Sequence, residues 1–377
     1  MIKTWSYKEE YIKNRKTILK AIDKTLFSGN LFFGNQLKKF ENSFIKQNKS
    51  RYGVAVGSGT DALIIALKAL GIGKNFNDEV ITVSNTAIPT ASAIISAGAK
   101  PIFVDIGNDY LINTLKIKKA INKNTKAIIP VHLYGQACKM DEIIKIAKRY
   151  KLKIIEDCAQ AQGAKFKNKL VGTFGDFGCF SFYPTKILGA YGDGGFVTTN
   201  SFKMFQKIKR LRFYGIEQND KKNKFNRIYY SNEHGLNSRL DEIHSSILNI
   251  KIKQVKKFIR KRCQLAKIYN KELSNTSLLL PKENVNCKHV YHLYTVYHPK
   301  RTKIIKELER KKIKINIYYP YPIHKMKGYL SKKNKDSELP KTNNAYKGIF
   351  SLPLYPELKI KNLKKIIKIL KQILIKV

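Results

Sequence analysis

Between residues 52 and 199 the chain alternates short β-branched or apolar runs with helix-patterned segments, and this rhythm restricts it to few folds. Residues 52–56, 79–83, 101–104, 127–131, 152–155, 177–182 and 195–199 read as strands. Residues 61–70, with Leu63, Leu67 and Leu70 on one stripe, read as a helix, as do 89–97 and 141–150. Strands separated by helices predict an α/β fold with a mainly parallel seven-stranded sheet flanked by helices. Ligands of such sheets sit beyond the carboxyl ends of the strands.

After about Asn237 the pattern changes. A long basic helix is expected over residues 238–270, then strands around 291–297 and 313–317. The expected division is a large domain over 1–237 and a smaller C-terminal α+β domain over 238–377. The last stretch repeats apolar residues at 363, 366, 367, 370, 373 and 374, opposite lysines, which predicts a helix docked on its own domain.

Charge raises the question of nucleic acid. The 377 residues carry 73 Lys and Arg against 27 Asp and Glu, a formal +46. Residues 251–377 hold 33 basic and 7 acidic side chains, so +26 lies in the last third. The lysines are spread singly or in pairs, alongside abundant Ile and Asn, so a compositional origin is favoured and no specific nucleic-acid partner is expected. Five cysteines without a CxxC pair indicate neither a zinc site nor a disulfide framework. The first twenty residues lack an apolar signal core, and the uncharged stretch 80–99 is interrupted by Ser, Thr, Asn and Pro. A cytoplasmic protein without a membrane span is expected.

Three segments carry chemistry. GSGTDAL (57–63) follows a strand and opens a helix, where free backbone N–H groups favour an anion; Ser58, Gly59 and Thr60 are the candidate donors. The same residues match GxGxxG/A, with Asp78 and Glu79 about 20 residues on, so a nicotinamide-dependent oxidoreductase using residues 57–62 stays open. In IIEDCAQAQGA (154–164) an apolar strand ends in Glu156 and Asp157. A carboxylate at a strand's carboxyl end can keep a buried ring nitrogen protonated, although such acids also cap helices. In SFYPTKILGAYGDGG (181–195) the single lysine, Lys186, stands among aromatic, apolar and glycine residues. Desolvation there makes an amine nucleophilic. A phosphate turn, an acid at a strand end and a secluded lysine together describe a pyridoxal 5'-phosphate site.

These segments, with SGNLFFGNQLKKFE (28–41), GLNSRLDEI (235–243) and YPYPIHKM (319–326), resemble the DegT/DnrJ/EryC1/StrS family of sugar-nucleotide aminotransferases, of aminotransferase fold type I. The resemblance spans nearly the whole chain. It implies Lys186 as the Schiff-base lysine and general base, and Asp157 as the partner of the pyridine nitrogen. It implies Gln160 near the ring hydroxyl, and Gly59, Thr60 and Ser181 at the phosphate. It implies that Asn237 reaches the phosphate of the other subunit in a homodimer with shared active sites. Tyr183 and His324 are expected at the sugar nucleotide. The SFYPTK…GDGG form resembles enzymes that aminate C3 of a dTDP-linked 3-keto-6-deoxyhexose with glutamate as donor, for surface glycan synthesis; C4-aminating and 3-keto-uronate members are the alternatives. Ala87 stands where many members carry an aromatic, so the residue that covers the second face of the ring is open. Members without the lysine are dehydratases, so its presence favours transamination.

Overall fold

A computed structural model describes residues 1–217, 230–331 and 333–377. Two helices, α1 (Lys8–Phe27) and α2 (Asn35–Asn48), precede the alternating region. There follow β1 (Tyr52–Val56), α3 (Gly59–Ala69), β2 (Glu79–Val83), α4 (Ile88–Ser96), β3 (Lys100–Val104), α5 (Thr114–Ala120), β4 (Thr125–Ile128), α6 (Met140–Arg149) and β5 (Lys153–Asp157). A short hairpin, β6 (Lys165–Phe166) and β7 (Lys169–Leu170), leads to β8 (Phe177–Ser181), β9 (Gly195–Thr199) and α7 (Phe202–Leu211).

Seven strands form one sheet in the order β1-β9-β8-β5-β4-β2-β3. All neighbours from β8 to β3 are parallel; β9 alone runs against both its neighbours. Side chains alternate between two packed faces, as the pleat requires. Val54, Val56, Ile155 and Val197 meet α3 and α7 on one side. Ala55, Ile154 and Phe196 face the other, where Phe40 and Phe44 of α2 fill the space. Phe44 lies 4.4 Å from Phe196 and 5.1 Å from Phe180, ring centre to ring centre.

The remainder comprises α8 (Glu242–Lys251), α9 (Val255–Leu273), β10 (Cys287–Lys288), β11 (Tyr294–Tyr297), α10 (Arg301–Arg310), α11 (Pro340–Gly348), β12 (Ile349–Leu352) and α12 (Ile360–Ile375). Here two expectations are corrected. The long basic helix is two helices, broken by a 3-10 turn at Ile252–Gln254. Asp241 caps α8, its carboxylate accepting the His244 N–H. The strand expected over 313–317 is reduced to single bridges, Ile313 with Ile2 and Asn316 with Ser351. The partner of β11 is instead β12, in antiparallel register. The final helix buries Leu363, Ile366, Ile367, Leu370 and Ile373 against α9 and α10, as its spacing predicted. Among the described residues no helix is long and apolar enough to cross a membrane. The N-terminus joins this C-terminal core through Ile2 and Trp5.

Candidate active site

The carboxyl ends of β1, β5 and β8 bring three of the sequence segments together. At β1, Ser58 caps α3 by accepting the Asp61 N–H at 3.0 Å. Gly59 and Thr60 are the first residues of that helix, and their N–H groups have no acceptor within it. The turn is packed too tightly for side chains. A Cβ on Gly59 would lie 2.7 Å from the Ser181 Cβ, and one on Gly195 would lie 2.1 Å from the Ser58 carbonyl oxygen. Ser181, at the end of β8, therefore abuts the mouth of the helix. Ser238 locks the turn from behind, accepting the Gly57 N–H at 2.9 Å and donating to Asp61 at 2.7 Å. This is an anion cradle of backbone donors at a helix N-terminus.

At the end of β5 the two adjacent acids have separate tasks. Glu156 is fully buried and structural. It accepts the N–H groups of Gly172, Phe174 and Gly175 at 2.7–2.8 Å and meets the His132 ring at 3.1 Å. Asp157 is 5% exposed, and its Oδ2 accepts the Thr90 hydroxyl at 2.8 Å while its Oδ1 accepts the Ala159 N–H. It is an orienting carboxylate with fixed geometry. Gln160 is held between the Tyr134 N–H, which it accepts at 2.9 Å, and the Tyr319 hydroxyl, to which it donates at 2.5 Å. Tyr134 and Tyr319 stack with ring centres 6.1 Å apart. The side chain of Asn85 and the hydroxyl of Tyr134 are buried facing each other beside this pair, without an ideal hydrogen bond between them.

Lys186 lies in the loop between β8 and β9, and its amine is affected by the charge of Asp157. The residue is partly accessible, yet desolvation by the surrounding protein lowers the amine's pKa to about 8; the Asp157 carboxylate opposes this. Such an amine is about half neutral near pH 8, where an ordinary lysine is almost wholly charged, and its neutral form is a competent nucleophile. An anion cradle, a fixed carboxylate, an amide near a tyrosine hydroxyl and a desolvated amine match the needs of a phosphorylated pyridine aldehyde. The chain therefore fits pyridoxal phosphate on its own geometry.

The remaining expected residues border this cluster; the Tyr183 N–H donates to the Ser181 hydroxyl at 3.3 Å and its carbonyl accepts the Lys186 N–H at 2.8 Å. Tyr183 is half exposed. Asn237 is exposed and bridges Phe213 through its backbone. His324 is 4% exposed, with both ring nitrogens engaged. Ser84 Oγ accepts the His324 main-chain N–H at 3.0 Å and lies 2.7 Å from Nδ1; in the neutral ring whose Nε2 carries the proton, Nδ1 accepts the Ser84 hydroxyl. Nε2–H then donates to Asp336 at 2.9 Å; the bonds from His324 and Lys325 hold this exposed carboxyl at about 2. His324 thus ties the end of β2 to the segment after Tyr319. Ala87 precedes α4 as its cap residue. Thr90, Ser238 and Tyr319 were not singled out by the sequence, although Tyr319 opens the YPYPIHKM motif.

The nicotinamide reading fails on position. Asp78 accepts the Gly73 N–H at 2.9 Å, and buried Glu79 pairs with Asn122 and Lys333, all at the amino end of β2. Neither acid is at the strand end where a ribose would lie.

Comparison with known proteins agrees with the geometry. The chain matches the DegT/DnrJ/EryC1/StrS aminotransferase family over residues 13–371. It is 42% identical to the dTDP-3-amino-3,4,6-trideoxy-alpha-D-glucose transaminase of Micromonospora megalomicea subsp. nigra, over 94% of each chain. The crystal structure of S. venezuelae DesV in complex with a ketimine intermediate superposes with a TM-score of 0.91 at 33% identity, over 97% of this chain and 96% of that one. NtdA of Bacillus subtilis with bound cofactor PMP gives 0.87 at 31% identity, over 96% and 82%. The cofactor is pyridoxal phosphate, and the enzyme is a transaminase that acts on a sugar nucleotide. The chain belongs to the DegT/DnrJ/EryC1/StrS aminotransferase family.

Proposed function

We propose that the enzyme transfers an amino group from glutamate to C3 of a dTDP-linked 3-keto-6-deoxyhexose, giving a 3-amino-3,6-dideoxy sugar nucleotide for surface glycan synthesis in the cytoplasm. The observation that carries the chemistry is the Lys186 amine, desolvated and lowered by burial, in the field of the Asp157 carboxylate, which opposes that shift. The 42% identical relative is named for a 3-amino dTDP-sugar, which supports the C3 and dTDP assignments.

When bound, pyridoxal phosphate supplies the electron sink for moving an amino group between two carbons. Ser58, Gly59, Thr60 and Ser181 would hold its phosphate. Asp157 would keep the ring nitrogen protonated, with Thr90 fixing the carboxylate. Gln160 would face the ring hydroxyl. Lys186 Nζ serves as anchor and base, taking a proton from the α-carbon of the donor and delivering one to C3 of the sugar. Tyr183, exposed beside this loop, and His324, which fixes the covering segment, are assigned to the sugar-nucleotide side.

The reading includes a homodimer. Leu26, Phe27, Leu31 and Phe32 are exposed at the end of α1 and the turn after it, and Arg239 lies 4.2 Å over the Phe32 ring. An apolar surface of this kind beside residues 235–243 supports a second copy as its cover. Asn237 would then donate to the partner's phosphate.

The direct test offers the enzyme glutamate with dTDP-linked 3-keto and 4-keto 6-deoxyhexoses and their UDP counterparts. The proposal expects mass-detected amination of the dTDP 3-keto sugar at the highest kcat/KM. Preferential amination of a 4-keto sugar, or of a UDP sugar, would contradict it.

A further inference from the structure

The loop that carries Lys186 is closed at its base by backbone bonds. Ala190 N–H donates to Phe182 O, and Phe182 N–H donates to Gly194 O, each at 2.7 Å. The glycines beyond the lysine are crowded. A Cβ at Gly189 would lie 2.4 Å from the Pro184 carbonyl oxygen, and one at Gly192 would lie 2.3 Å from His244 Nε2. Tyr191 sits among them with φ of 62°, in the left-handed region where glycine is comfortable and a tyrosine is strained. Side-chain contacts that hold the residue there would offset this strain.

These contacts are visible. The Tyr191 ring lies 5.4 Å from Tyr7 and 6.0 Å from Tyr11 on α1. Its hydroxyl donates to Glu10 at 3.3 Å. The ammonium of Lys251, at the end of α8, stands 4.0 Å over the ring and 2.9 Å from the same Glu10 carboxylate. Lys251 is 2% exposed and the Glu10 side chain 14%. Buried pairs of this kind contribute little net stability compared with an apolar replacement, and their best-attested use is to fix one arrangement. A cation on an aromatic face is attracted by the ring's negative face, and more strongly when desolvated.

We propose that Glu10, Lys251 and Tyr191 form a clamp that holds the Lys186 loop shut from outside the active site, so that Tyr191 and Lys251 are positioning residues for the reactive amine. The inference rests on the reading of Lys186 as that amine. The clamp joins α1 and α8 to the loop, and so makes the first turns of the chain part of the active-site support. With the loop held, the amine stays largely desolvated; with the clamp released, it is further hydrated and loses its fixed direction.

The test uses the apoprotein of the full chain. Lys186 is acylated with an amine-directed anhydride over a range of pH, and its peptide is quantified by mass spectrometry against surface lysines as internal standards. Turnover and KM are measured in parallel on the holoenzyme. In the native protein Lys186 labels with a midpoint near 8. In Lys251→Met and Tyr191→Ala the midpoint rises toward that of the surface lysines, and kcat falls on the order of tenfold or more at unchanged KM. Lys251→Arg, which keeps a cation over the ring, behaves as the native enzyme. Since Lys251→Met leaves Glu10 uncompensated, Glu10→Gln with Lys251→Met removes both charges and shows the same shift in a folded protein. An unchanged Lys186 midpoint in the double variant and in Tyr191→Ala overturns the clamp and leaves the reading of Lys186 intact. A native midpoint equal to that of the surface lysines overturns the reading itself, and the clamp with it.

Discussion

The hydroxyl of Thr90 donates a 2.8 Å hydrogen bond to Oδ2 of Asp157, across 67 residues of sequence. It sets the direction of the carboxylate proposed to hold a ring proton. Both residues are buried, so water does not replace the bond when it is lost. A hydrogen bond to a charged group contributes about 1.5–3 kcal/mol. Thr90→Val should therefore lower kcat by roughly tenfold or more, while Thr90→Ser keeps the donor and most of the rate. Steady-state kinetics check this; a Thr90→Val enzyme at native kcat would contradict it.

The neighbouring acid should behave differently. Glu156 holds three backbone N–H groups of residues 172–175 in a fully buried site and touches no group of the cofactor cluster. Glu156→Ala should cost on the order of 3–5 kcal/mol of stability, the range for an uncompensated buried network. Urea unfolding of the apoprotein measures it. A stable protein with lost activity alone would show that the two acids have been given the wrong tasks.

Asn237 is an exposed neutral amide next to Ser238, which holds the Gly57 turn of its own chain. If Asn237 serves the partner's phosphate, a dimer with Lys186→Ala on one chain and Asn237→Asp on the other has both lesions in one site. Mixed dimers should then recover activity towards half of native, although each parent homodimer is impaired. No recovery on mixing would place Asn237 at its own chain's site.

The strands were legible because their signal is local. β1, β2 and β9 end where the β-branched runs end, and the helix opened by GSGTDAL starts at Gly59, just after the capping Ser58 and two residues before its expected start. The break between α8 and α9 was hidden because buried Ile252 and Val255 continue the apolar pattern through the turn. β12 escaped notice since four residues, Ile349–Leu352, read equally well as the tail of α11. In the candidate site, Lys186, Asp157 and the Gly59 turn announced themselves by composition and place. Thr90 and Tyr319 did not, because each acts on a residue 67 or 159 positions away, a relation that only the folded sheet creates.

The most direct test of the account is to find where the cofactor is attached. Borohydride reduction of the native holoenzyme, followed by peptide mass spectrometry, should place the pyridoxyl group on Lys186, and glutamate added before reduction should abolish the label. A pyridoxyl group on any other lysine, or a label that glutamate leaves untouched, would contradict the assignment of Lys186 as the amine that carries the reaction.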